Sequence, residues 1–125
     1  MAMASTWEIF PADLDRSARF YVGLLGFTVI SDARDSTDPY LAFRCGEVVI
    51  GASLRPAPTS VAHRRPPIGV ELGLEVDDLD TTYAAVLAAH WPLADDIQHR
   101  PWGVRDFRIL DPDGYYLCIR EHEYF

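Results

Sequence analysis

The sequence predicts an α+β fold made of two βαβββ modules that form a cupped mixed sheet. Three observations predict it. Asp13-Leu14-Asp15 and Asp78-Leu79-Asp80 each open an amphipathic segment, 65 residues apart in a chain of 125. Each segment follows one short strand-like run and precedes three more. The last quarter reads as a β-hairpin closed by Asp111-Pro112-Asp113-Gly114, since Pro112 presets φ near −65° and Gly114 accepts φ > 0. A repeat of this length marks a duplicated structural unit.

In the first module a strand is expected over Trp7–Phe10. Asp13 then caps a helix with Leu14, Ala18, Tyr21, Leu24 and Leu25 facing inward, and Gly26 ends it. Strands are expected over Phe27–Ser31, Tyr40–Arg44 and Val48–Ser53. The stretch Arg55–Pro67 contains Pro56, Pro58, Pro66 and Pro67 and reads as the linker. It is too short and irregular to separate independently folding domains. The expected organisation is a single domain over 1–125, with module one at about 5–54, the linker at 55–67 and module two at about 68–122. Module two begins with a strand over Val70–Val76. Asp78 caps a helix with Leu79, Tyr83, Val86 and Leu87 inward, and His90-Trp91-Pro92 stops it, because the residue before proline avoids the α region. Strands are then expected over Leu93–Ile97, Gly103–Leu110 and Tyr115–Arg120. A four-stranded sheet with one helix leaves its second face open, so a cupped face is a natural pocket.

Bulk properties narrow the function. A mass of 14.1 kDa, 49% hydrophobic and 24% charged residues fit one globular domain with a real core. No apolar run is long enough to span a bilayer, and the opening Met-Ala-Met-Ala-Ser-Thr lacks a basic stretch and an apolar core, so no signal peptide is expected. The net charge of −8 and pI near 4.7 exclude a nucleic-acid partner and suit a cationic ligand. Cys45 and Cys118 are the only cysteines, which favours a reducing, cytoplasmic setting. Both lie in strand-like apolar runs and read as small buried hydrophobes rather than reactive thiols.

Asp13-Leu14-Asp15-Arg16-Ser17-Ala18-Arg19-Phe20-Tyr21 with Leu25-Gly26-Phe27, two βαβββ units and the closing Asp-Pro-Asp-Gly resemble the vicinal-oxygen-chelate superfamily of glyoxalases, bleomycin-resistance proteins and dioxygenases. Pro101-Trp102-Gly103 before that turn resembles the bleomycin-resistance branch in particular. The enzymes of the superfamily hold a divalent metal on paired strands. The resemblance implies Thr6, Glu71 and Cys118 at those positions, and of these only Glu71 suits a hard metal. Glu8 shares a strand face with Thr6 and would give only an unusual set. His63, His90, His99 and His122 fall outside strands at the ligand positions. No nucleophile–base motif stands out. The expectation is therefore no catalytic residue, no metal and no cofactor.

The branch binds its ligand in grooves of a homodimer, which the resemblance implies here too. Trp102 matches the groove tryptophan, able to stack on a planar ring or meet a cation. Tyr40 is expected to wall the groove and Phe43 to enter the core. Ser53 matches a groove serine. Asp35 and Asp38 sit in an acidic loop where a cationic tail could be drawn. Glu71, if it faces the cup, must pair with Arg105, Arg108 or a ligand cation. Asp106 is expected on the connection beside Trp102. The candidate ligand-binding residues are Trp102, Tyr40, Ser53, Glu71, Asp38 and Asp106. The implied function is an antibiotic-binding resistance protein that sequesters a bleomycin-like aromatic cationic natural product. The alternatives are a metal-dependent lyase, isomerase or dioxygenase, and a non-enzymatic sensor or partner-binding module of the same fold.

Overall fold

A computed structural model describes Met3, residues 6–55 and residues 70–122. His63 and all of the expected linker except Arg55 lie outside the described residues. The chain divides into two compact units, residues 1–59 and 60–125. Each unit holds one four-stranded mixed sheet with its own helix.

The first unit runs β1 (Trp7–Ile9), α1 (Leu14–Ala18), β2 (Thr28–Asp32), β3 (Tyr40–Cys45) and β4 (Val48–Ser53). Its strand order is β1-β4-β3-β2, with β1 parallel to β4 and the other pairs antiparallel. Asp13, in extended backbone, accepts the Arg16 amide at 3.1 Å and starts α1 as expected. The helix then widens into a π-helical turn over Arg19–Leu24. The Leu25 amide reaches the Phe20 carbonyl at 3.1 Å, and Gly26 at φ +80° turns the chain out, so that the Phe27 amide reaches Tyr21 at 2.8 Å. This wide turn lets Tyr21 stack on Phe43 with ring centroids 5.5 Å apart, while Phe20 and Phe27 meet it edge-on. These aromatics, with Leu41, Ile50 and Ala52, form the first core.

The second unit runs β5 (Leu72–Val76), α2 (Leu79–Ala88), β6 (Asp95–His99), β7 (Arg105–Leu110) and β8 (Tyr116–Glu121). The order β5-β8-β7-β6 repeats the first plan, again with one parallel pair, β5 with β8. Asp78 caps α2 through the Thr81 amide at 3.1 Å and the Thr81 hydroxyl at 2.7 Å. Leu79, Val86, Leu74, Phe107, Ile109, Leu117 and Ile119 are buried, and Tyr83 meets Phe107 edge-on at 5.2 Å. In both sheets the outer edge strand, β2 or β6, carries a register irregularity that blunts the edge.

The βαβββ repeat and the closing turn are therefore present. Asp111 accepts the Asp113 and Tyr115 amides at 2.8 and 2.9 Å, and Gly114 takes φ +86°. Several boundaries move. β5 starts at Leu72 rather than Val70, β7 at Arg105 rather than Gly103, and β6 shifts two residues on, ending at His99. Leu87 is 46% exposed, not inward. At 100° per residue it lies about 80° round the helix from Leu79, past the edge of the apolar stripe. The chain leaves α2 at Ala88, and His90 takes φ +55° before the proline. Cys45 is exposed rather than buried, at the end of β3 where the hairpin turns, whereas Cys118 is buried in β8.

Candidate ligand-binding site

Alternation along a strand fixes the face opposite each helix. In the second unit Phe107, Ile109, Leu117 and Ile119 are spent on the core. Asp106, Arg108, Cys118 and Arg120 therefore share the other face. The register sets Asp106 opposite Arg120, and Arg108 opposite Cys118. Gly73 lies beside Cys118 from β5, and Glu71, two residues earlier, falls on the same side.

These residues form one charged network. Arg108 donates from Nε to Glu71 at 2.8 Å and from Nη1 to Asp106 at 3.0 Å, with Asp95 at 3.5 Å. Arg100 donates from Nε to Asp106 at 2.7 Å and from Nη2 to Asp95. Asp106 is 1% exposed, so its charge is held wholly by two guanidinium groups. Burial pulls the Arg108 pKa down, but the Glu71 hydrogen bond and the surrounding acids raise it overall, so the group stays charged. Glu71 thus has the arginine partner expected of it. Asp106 departs from expectation. It lies inside β7, not on the connection that carries Trp102, and the alternation turns residue 106 onto this face. Sequence reading missed Arg100 and Asp95. The sign alternation Asp106, Arg108 along β7 was visible, but the partners across β6 depend on the irregular register there.

The implied metal positions do not fit a divalent ion. Glu71 is engaged by a guanidinium. Burial pushes the Cys118 thiol up to about 11, which leaves it protonated and a poor ligand at neutral pH. Thr6 is an exposed residue just before β1. Among the described residues no group of three His, Cys, Asp or Glu side chains is placed to hold a metal ion.

In the first unit the face opposite the helix is formed by Tyr40 and Ala42 on β3, Gly51 and Ser53 on β4 and Glu8 on β1. Tyr40 pairs with Ser53, Ala42 with Gly51, and Glu8 with Gly51. Phe43 points to the core and Tyr40 away from it, as expected. The Tyr40 hydroxyl donates to Glu8 Oε1 at 3.2 Å directly over Gly51. A Cβ at residue 51 would overlap both groups, so a side chain there would push this pair aside. Burial first, then the Glu8 charge, raises the Tyr40 pKa. The Ser53 hydroxyl accepts Arg55 Nη1 at 3.2 Å.

The acidic loop after β2 carries one arginine, which pairs with two acids. Arg34 binds Asp32 at 2.6 Å and Asp15 at 2.8 Å, beside an open pocket of about 910 Å³ that Asp13, Asp35 and Leu54 also line. Asp38 is exposed, and its backbone N–H and C=O both meet the Ser36 hydroxyl. Trp102 sits at the tip of the β6–β7 hairpin. The turn is closed by Arg100 N–H to Val104 at 2.8 Å and Gly103 N–H to Arg100 at 3.0 Å, with Gly103 at φ +102°. Trp102 is 60% exposed, whereas Trp91 is tied by its indole N–H to the Leu110 carbonyl at 2.8 Å.

Residues 4–119 match the Glyoxalase/Bleomycin resistance protein/Dioxygenase superfamily. The chain belongs to this superfamily. Its fold is shared with a bleomycin resistance determinant encoded on transposon Tn5, at a TM-score of 0.77 and 18% identity over 98% of this chain and 100% of that one. A bleomycin-binding protein solved with bleomycin superposes at 0.69, with 20% identity over 98% and 100% of the two chains. A protein of unknown function from Agrobacterium tumefaciens superposes at 0.75, with 24% identity over 98% and 97%. No curated protein matches the chain. Among the described residues no helix is long and apolar enough to cross a membrane.

Proposed function

We propose that this superfamily member is an antibiotic-binding resistance protein. It sequesters a bleomycin-like aromatic cationic natural product, without metal or turnover, as a cytoplasmic homodimer in which the two modules make one domain. The observation that carries the reading is Trp102, a large aromatic held 60% exposed on a tight hairpin tip. Exposing an indole forgoes the stabilisation of burying it, and a flat ring so presented can stack on a planar heteroaromatic or lie under a cation. The fold shared with a bleomycin-binding protein supports the ligand class. The net charge of −8 supports a cationic ligand by raising its local concentration. Tyr40, Ser53, Glu71, Asp38 and Asp106 are the further candidate contacts. The carboxylates of Asp106 and Glu71 act through the guanidinium groups they hold.

Isothermal titration of the purified protein with a bleomycin-type glycopeptide tests this. Saturable heat at one ligand per chain is expected, and Trp102→Ala weakens binding by roughly tenfold or more, about 1.4 kcal/mol. No heat at high micromolar ligand removes this ligand class.

A further inference from the structure

Trp102 is 60% exposed and makes no hydrogen bond or ring contact among the described residues. Its Cα position, and the direction in which the indole leaves the chain, are therefore set by the hairpin that carries it. That hairpin has one irregular stem. β6 is an edge strand, and its register with β7 breaks below the tip. Asp95 faces Arg108 and Gln98 faces Asp106, so three steps along β6 match two along β7. Such a bulge interrupts the ladder hydrogen bonds and lets a strand bend.

Arg100, the first residue past β6, spans the break with its side chain. Its Nη2 donates to Asp95 on the far side of the bulge, and its Nε donates to Asp106 on β7 at 2.7 Å. The Arg100 side chain is 14% exposed and that of Asp106 2%, so solvent screens this pair little. The backbone of Arg100 also closes the tip, donating to the Val104 carbonyl at 2.8 Å and accepting the Gly103 N–H at 3.0 Å. The other stem is regular and separately anchored. The Arg105 N–H and Nε donate to Glu121 at 3.0 and 2.8 Å, and its Nη atoms donate to Asp80 at 3.0 and 3.2 Å.

We propose that Arg100 is the positioning residue of Trp102, bracing the bulged stem so that the indole is held in place before a ligand arrives. A tip already ordered forms its contacts without the affinity loss that ordering would bring. The planar guanidinium fork suits this task, because one rigid group serves acids on both strands. The use of the brace rests on the ligand-binding reading, whereas the brace itself is measurable without ligand.

Nitrogen-15 relaxation tests the brace, with fold checked by circular dichroism. The Trp102 amide of wild type is expected at an order parameter of about 0.85, falling below about 0.6 in Arg100→Met while β8 is unchanged. Asp95→Ala leaves both guanidinium groups on Asp106 and is expected to loosen Trp102 in the same direction. A wild-type value below about 0.6, or a folded Asp95→Ala with Trp102 as rigid as in wild type, overturns the proposal. Titration with the glycopeptide tests the use. Arg100→Met is expected to weaken binding roughly tenfold, with no further loss when it is added to Trp102→Ala, because it acts through the indole. Additive losses in the double variant overturn the positioning role. No heat with wild type removes the ligand-binding reading, and the order parameters still decide the brace.

Discussion

The two modules repeat one backbone plan, and their helix-facing sides are alike. Tyr21, Phe43 and Phe27 cluster in the first, and Tyr83 meets Phe107 in the second. Their opposite faces differ completely. The first has Ala42 and Gly51 as a flat floor, with one carboxylate–phenol pair, Glu8 and Tyr40, above it. The second has Asp106, Arg108, Arg100, Glu71 and Asp95 locked together, with Cys118 opposite Arg108 in register. The helix side must close a core in any copy of the unit, so its chemistry is restrained. The other side contributes less to that core and is freer to take on binding chemistry.

The largest effects should come where the modules agree. Phe43→Ala and Phe107→Ala each remove a fully buried ring and should each cost ~3–5 kcal/mol in urea unfolding. A large asymmetry between them would break the equivalence of the two cores. Next comes Asp106→Ala, which removes one charged acceptor from both Arg100 and Arg108 while Asp95 and Glu71 still hold them, and should cost ~2 kcal/mol. Its counterpart in the first module, Tyr40→Phe, removes one 3.2 Å hydrogen bond and should cost at most about 1 kcal/mol.

The caps sharpen the comparison at a smaller scale. Asp13→Ala should lose ~1 kcal/mol, since only the Arg16 amide is orphaned. Asp78→Ala should lose more, because the Thr81 hydroxyl is also a partner. That hydroxyl bond, with the Thr81 amide, holds the Asp78 carboxyl below its ordinary range. A depressed folded pKa gives stability that is present above the unfolded carboxylate pKa and lost as pH falls through the folded one. The Asp78→Ala penalty should therefore be full at pH 7 and shrink on strong acidification, as thermal melts across pH would show. Smallest of all for stability is Trp102→Ala, within about 0.5 kcal/mol, whereas the proposed ligand binding should weaken roughly tenfold.

Much of this plan is legible locally. Asp13 and Asp78 cap because a short acceptor precedes an apolar period. The turn at Asp111–Gly114 needs only its own four residues. Trp102 is readable as loop-borne because proline and glycine flank it. Glu71 could be assigned an arginine partner because an unpaired carboxylate on a sheet face is costly. What failed locally was whatever depends on a neighbour's position. Asp106 lies in an expected strand, but its partners Arg100 and Arg108 appear only once the strands are set side by side. Leu87 looks apolar-periodic until a ten-residue helix leaves its stripe narrow. Cys45 reads as strand core until the Gly46 turn places it at the sheet's rim.

The sequence alone determined the duplication, the helix starts, the closing turn and the superfamily, because each rests on residues close together in the chain. Only the tertiary structure decided that Arg108 stands among Glu71, Asp95 and Asp106, and that Glu8 and Tyr40 meet over Gly51. Periodicity says which face of a strand a residue occupies, but the register between strands, with its break in β6, says which charge it meets.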